Sequence, residues 1–265
     1  MWSLLLIPLW LYLALLSLLF LFQGRLIFPA GAAGGARPLR EGAEQLSFTA
    51  PRGETLRGIH LPPGTARSGT LVLAFAGNAW NAEDAAEYLH DIYPGADIVA
   101  FHYRGYRPST GAPSAKALIG DAPLAYDASV ARLRPQRTVA VGLSIGSGIA
   151  ASLAGKRPLA GLILVTPFDS LKAVAAGHYP WLPIRLLFRH DMEPAQSLRR
   201  TKLPVAILSA GRDDVIPPPR ADALRRSVGN LAYDRSFPGA GHNDIYRRSD
   251  FQAAMREALE RITNP

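Results

Sequence analysis

The chain contains no cysteine. Disulfides, thiolate nucleophiles and cysteine-ligated zinc are therefore excluded, while the redox compartment stays open. Charged side chains are missing from residues 1–24. Acidic residues are in deficit, 21 against 29 Lys and Arg, which leaves a net charge of +8. The surplus sits largely in scattered pairs such as Arg199-Arg200, Arg225-Arg226 and Arg247-Arg248. Such pairs suit solvated helix faces or attraction to an anionic membrane surface. No basic run is interleaved with aromatics, so nucleic acid is not an expected partner. His60, His90, His102, His178 and His190 show no His-Glu-x-x-His spacing. Neither a metal nor another cofactor is expected.

What is present is 265 residues with 48% hydrophobic content, enough for one domain with a sizeable core. Residues 4–22 form an apolar run that would span about 28 Å as a helix, close to the hydrocarbon thickness of a bilayer. A cleaved secretory signal is the competing reading, with Ala30-Gly31-Ala32 resembling a cleavage site. The run has no basic start and is long for a signal core, so an uncleaved anchor over residues 1–24 is expected. Arg25, Arg37 and Arg40 nominally hold the following domain on the cytoplasmic side, but three arginines do not settle the orientation. Residues 25–43, rich in Gly, Ala and Pro from Pro29 onward, read as a tether.

From residue 44 to residue 265 the pattern is that of one folded domain. Strands at 45–49 and 56–61 flank the turn Pro51-Arg52-Gly53 and suggest an antiparallel hairpin at a sheet edge. Further strands are expected at 70–75, 98–103, 138–141, 159–165, 205–209 and 231–237. Helices are expected at 82–91, 115–133, 146–154, 218–227 and 250–262. Apolar strands without polar alternation imply a sheet covered on both faces. Their alternation with helices implies parallel pairing, hence an α/β fold. Ligands of such sheets bind beyond the carboxyl ends of the strands.

One stretch there carries chemistry. The run Gly142-Leu143-Ser144-Ile145-Gly146 joins an expected strand to an expected helix. A strand turning straight into a helix holds its pivot residue in a strained conformation, and glycines two residues away avoid collisions across the turn. A serine held at the pivot can attack a carbonyl if a base takes its proton. After strand 205–209 comes Gly211-Arg212-Asp213-Asp214, and after the last strand comes Gly239-Ala240-Gly241-His242. His242 suits the base, because histidine ordinarily titrates near pH 6.5. A carboxylate would orient it: Asp213 is preferred, with Asp214 as the alternative. Backbone N–H groups of Ile145 and of Asn78, after the strand 70–75, are the expected donors to the oxyanion.

Taken with further motifs, the sequence resembles the α/β-hydrolase family. Within it, the likeness is to small membrane-anchored serine hydrolases of the Bem46-like and depalmitoylase-like groups. The matching pieces are Gln23-Gly-Arg-Leu-Ile-Phe-Pro29, Ala76-Gly-Asn-Ala79, Tyr103-Arg-Gly-Tyr106 through Ser109-Thr-Gly111, and Gly142 to Gly146. Thr166-Pro-Phe-Asp-Ser-Leu171, Asp213 to Pro217 and Gly241-His-Asn-Asp244 complete the set, so the likeness covers residues 23–265. It implies a Ser144–Asp213–His242 triad, an oxyanion hole from Asn78 and Ile145, and hydrolysis of an acyl ester or thioester. The chain departs from the family pattern at Ala76, where a histidine is usual, and at Arg107, where a glycine is usual. In the acid loop, counting back from Pro217 points to Asp213, whereas counting from Gly211 points to Asp214.

Residues 169–198 are longer than a plain strand–helix link and read as a small cap supplying an apolar acyl pocket. Phe168, Tyr179 and Trp181 are its expected substrate-binding residues. The expected function is that of a membrane-tethered serine hydrolase acting on a small-molecule or lipid-like acyl ester. A peptidase or amidase with the same triad and a non-catalytic hydrolase-like scaffold are the alternatives. Oligomeric state is not legible.

Overall fold

The computed structural model describes residues 6–34 and 38–264; Arg37 and the first five residues of the expected anchor lie outside them. An eight-stranded sheet has the order β1-β2-β4-β3-β5-β6-β7-β8. The strands are β1 (Glu44–Thr49), β2 (Thr55–Leu61), β3 (Thr70–Phe75), β4 (Asp97–Phe101), β5 (Arg137–Leu143), β6 (Gly161–Val165), β7 (Val205–Ala210) and β8 (Leu231–Phe237). β2 runs antiparallel to both β1 and β4, and every pairing from β4 through β3 to β8 is parallel. All residues of β3, β4, β6 and β7 are buried, as expected where helices cover both faces.

Two apolar layers sandwich the sheet. One packs α3 (Ala115–Leu133), α4 (Ile145–Leu153) and α8 (Pro218–Arg225) through Leu118, Ile149 and Leu224. The other packs α2 (Ala82–Ile92) and α9 (Ser249–Thr263) through Leu89, Phe251 and Met255. Local chemistry starts these helices. The Asn81 side chain accepts from the Asp84 N–H at 2.7 Å, and the Ser114 hydroxyl accepts from the Ala117 N–H at 3.1 Å. Both satisfy amides that the first helical turn leaves unpaired.

The segment 169–198 folds as three short helices, α5 (Leu171–His178), α6 (Ile184–Leu187) and α7 (Pro194–Leu198). Asp191 ties its start, accepting from the Lys172 N–H at 2.9 Å. Its far side is fastened to the acid loop, where the His178 ring meets the Val215 carbonyl at 2.9 Å.

Ahead of the sheet stands α1 (Ile7–Ile27), apolar on every side and about 32 Å long at 1.5 Å per residue. It is long and apolar enough to cross a membrane. Its last turns are nevertheless fastened to the domain: Gln23 is buried, and Asn78 donates to the Ile27 carbonyl at 2.6 Å. The stretch expected as a tether also packs at its described ends. Phe28 is fully buried against the His190 ring, and Arg40 pairs with Glu87 and Asp91.

Candidate active site

β5 ends at Leu143 and α4 begins at Ile145, so Ser144 alone makes the turn, with φ 53° and ψ −118°. A side chain disfavours that conformation by roughly 1–3 kcal/mol, so the surroundings must impose it. They do so through crowding. A Cβ at Gly142 would lie 2.5 Å from the Gly146 carbonyl oxygen, and one at Gly146 only 2.0 Å from that of Phe75. The Ser144 N–H is held by the Val165 carbonyl of β6 at 2.9 Å. Gly146→Ala should therefore cost about 3 kcal/mol or more in stability, read as a lower urea midpoint.

The partners come from the ends of β7 and β8. Two backbone bonds stitch their loops together, Gly211 N–H to the Phe237 carbonyl at 2.9 Å and Arg212 N–H to that of Ala240 at 2.8 Å. Gly211 permits this, since a Cβ there would meet the Pro238 backbone at 2.5 Å. Asp213 and His242 are thereby set face to face. His242 Nδ1 lies 2.8 Å from Asp213 Oδ2 and 3.0 Å from Oδ1, and His242 Nε2 lies 2.9 Å from Ser144 Oγ.

Asp213 and Asp214 separate sharply. Asp213 is buried and its Oδ1 also accepts from the N–H groups of Val215 and Ile216, at 3.0 and 2.6 Å. Those bonds fix the carboxylate towards the ring. Asp214 is exposed. With Asp213 accepting from Nδ1–H, Nε2 carries the free lone pair and the serine hydroxyl donates to it. Nearby, desolvation pushes the Tyr246 phenol up to about 12, so it stays protonated at neutral pH.

Of the two expected oxyanion donors, Ile145 adjoins the serine and Asn78 is the residue after one that packs against it. Ile145 follows it directly at the N-terminus of α4, and Gly77 lies against it, its position for a Cβ being 3.9 Å from Ser144 Cβ. Among the described residues, the N–H groups of Asn78 and Ile145 have no internal acceptor. The Asn78 side chain is occupied elsewhere, accepting from the Tyr106 hydroxyl at 2.8 Å while donating to Ile27. Ala76, the departure from the usual histidine, offers its carbonyl to the Tyr103 hydroxyl at 2.7 Å.

Tyr179 and Trp181 line an apolar cavity of about 430 Å³ between the cap and α1. Phe168 does not join them. It is fully buried beneath the cap beside Gly148, because a ring on the strand side of the link is drawn into the core rather than towards a pocket. Sequence reasoning missed the contacts that fasten α1, Gln23 above all. The available signal was a lone amide at the end of an otherwise apolar run.

No family model matches the chain. Individual proteins do. The uncharacterized protein Rv2307c of Mycobacterium tuberculosis is 34% identical over 229 residues, covering 84% of this chain and 81% of the relative. Protein bem46 of Schizosaccharomyces pombe is 28% identical, covering 86% and 83%. The lysophosphatidylserine lipase ABHD12 of Danio rerio is 28% identical over a shorter stretch, 46% of this chain and 37% of the relative. Among solved structures, an alpha-beta hydrolase from Vibrio vulnificus superposes with a TM-score of 0.69 at 21% identity, covering 90% and 92%. With the sheet order, the serine turn and these relatives in agreement, the chain belongs to the α/β-hydrolase family, among the kin of Bem46.

Proposed function

We propose that the protein is a membrane-tethered serine hydrolase that cleaves carboxylic esters or thioesters through an acyl-enzyme on Ser144. The observation that carries this reading is the unbroken hydrogen-bonded line Ser144 Oγ–His242–Asp213 beyond the carboxyl ends of β5, β8 and β7. Ser144 Oγ attacks the carbonyl carbon as His242 Nε2 takes its proton. Asp213 supports the resulting imidazolium. The negative oxygen receives the N–H groups of Ile145 and Asn78, backbone donors whose fixed dipoles stabilise developing charge. Collapse expels the alcohol or thiol, which takes the proton from His242. Water then enters, gives a proton to the same nitrogen and attacks the acyl carbon, which frees the acid and restores the serine.

Support for a tether comes from α1. A signal sequence would be removed, and cleavage near Ala30-Gly31-Ala32 would take away the hydrogen-bond partners that Ile27 and Gln23 give to Asn78 and Arg189. These bonds and the burial of Phe28 bind the segment to the domain, which favours a helix kept in the mature chain. A lipid-like ester fits a tethered enzyme, and the ABHD12 relative is described as a lysophosphatidylserine lipase.

The test is turnover of p-nitrophenyl esters of increasing chain length, beside a thioester and an anilide of the same acyl group. Esters and thioesters should be hydrolysed well above the Ser144→Ala background, and the anilide slowly or not at all. Folded protein that cleaves neither ester nor thioester above that background would overturn the proposal. Anilide cleavage matching that of the ester would point to an amidase.

A further inference from the structure

The apolar helix does more than stand beside the domain. Five hydrogen bonds join it to the cap and the oxyanion loop. Gln23 donates to the Leu187 carbonyl at 3.2 Å and accepts from the Arg189 N–H at 2.8 Å. Arg189 donates to the Phe20 carbonyl at 3.0 Å, with its guanidinium 4.2 Å above the Phe20 ring. The Tyr12 hydroxyl donates to the Trp181 carbonyl at 2.9 Å, and Asn78 holds Ile27. Between these bonds lies the 430 Å³ cavity, walled by Leu16, Leu19 and Phe20 of α1 and by Ala175, Trp181 and Leu187 of the cap. Among the described residues of the lining Gln23 is the one amide, and both ends of it are already bonded. The space therefore offers a ligand almost nothing but apolar contact, within the usual size range of ligand pockets.

Two features orient it. Its lining residue Ile27 is held by Asn78, next to Gly77, which lies against Ser144. One hydrogen bond thus links the cavity wall to the loop that packs against Ser144. At the cap surface, Tyr179, Trp181 and Leu186 are exposed by 51%, 57% and 86%. Such a rim beside a helix able to cross a bilayer is suited to the membrane interface, where Trp and Tyr collect.

We propose that α1 is one wall of the acyl-binding site: the chain of a lipid-like ester lies between α1 and the cap, entering sideways from the bilayer. The helix is then part of the substrate site and not only an anchor. This rests on the hydrolase reading for its ester, but not for its binding.

The test uses full-length protein in phosphatidylcholine vesicles, with p-nitrophenyl acetate and decanoate as substrates. Ala175→Trp fills the cavity from the cap and Leu19→Trp from the helix. Since each buried methylene is worth about fourfold, an indole that displaces two to three of decanoate's chain methylenes should lower the decanoate-to-acetate ratio of kcat/KM by roughly 30-fold. An unchanged ratio in both variants would overturn the proposal. In parallel, a long-chain fatty acid with a diazirine near its end is photolysed with Ser144→Ala protein, which binds without turnover. Crosslinks should fall on peptides of α1 and α5–α6 and vanish in the tryptophan variants; crosslinks elsewhere would overturn it. Crosslinks at these peptides in a protein that cleaves no ester would sink the hydrolase reading and leave the pocket standing. Ser144-dependent hydrolysis with neither a changed ratio nor these crosslinks would do the reverse.

Discussion

Ser144→Ala is expected to lower kcat on any substrate by roughly 10⁴- to 10⁶-fold, the range set by losing the nucleophile of a triad. That is about 5 to 8 kcal/mol of transition-state stabilisation. No compensating route is expected, because the His242 base acts on this hydroxyl, 2.9 Å away. The fold should survive, since Ser144 is held by its backbone bond to Val165 and by crowding at Gly142 and Gly146, none of which involves Oγ. An unchanged thermal midpoint beside the lost activity would separate chemistry from folding. Adding His242→Ala to Ser144→Ala should cost almost nothing more, because groups that act as a unit are lost together.

The second large effect distinguishes two adjacent carboxylates. Asp213→Asn should lower kcat by about 10⁴-fold. The amide can keep its bonds to Val215 and Ile216 through its oxygen while turning its NH₂ towards the ring. His242 Nδ1 would then accept instead of donate, Nε2 would carry the proton, and the serine would lose its base. Asp214→Asn changes an exposed side chain, and an effect beyond about threefold in kcat/KM is not expected. Reversal of these two results would reassign the acid.

Much of this was legible in the sequence because the relevant signals are local. Apolar strands and the glycines around Ser144 follow from sterics over a few residues, and the order Ser144, Asp213, His242 follows from strand succession. Edges were less legible. β5 runs on to Leu143 rather than stopping at 141, because Gly142 and Leu143 still pair with β6 although glycine reads as a turn. β4 ends at Phe101: after one further bond from the His102 N–H to the Arg57 carbonyl of β2, the chain turns, with the Tyr106 N–H bonded to the Tyr103 carbonyl. The cap helices, of eight residues or fewer, are too short for a 3.6-residue period to show.

The sequence favoured Asp213 over Asp214 without settling between them. Adjacent identical residues differ only in where the loop aims them, and the loop is shaped by its stitching to the β8 end. The docking of α1 is the clearest gap. A helix apolar all round has no periodic face to betray which side meets the domain. Gln23 marks the protein side, but a single polar residue says this only once its partners Leu187 and Arg189 are in place.

The most direct measurement is intact mass and peptide mapping after exposure of the full-length protein to a fluorophosphonate, which reacts with an activated serine and scarcely with an ordinary one. One adduct, on the peptide carrying Ser144, absent from Ser144→Ala and slowed in Asp213→Asn, is the expected result. Folded protein that stays unmodified at Ser144, or that is labelled equally well without it, would contradict an activated nucleophile at that turn.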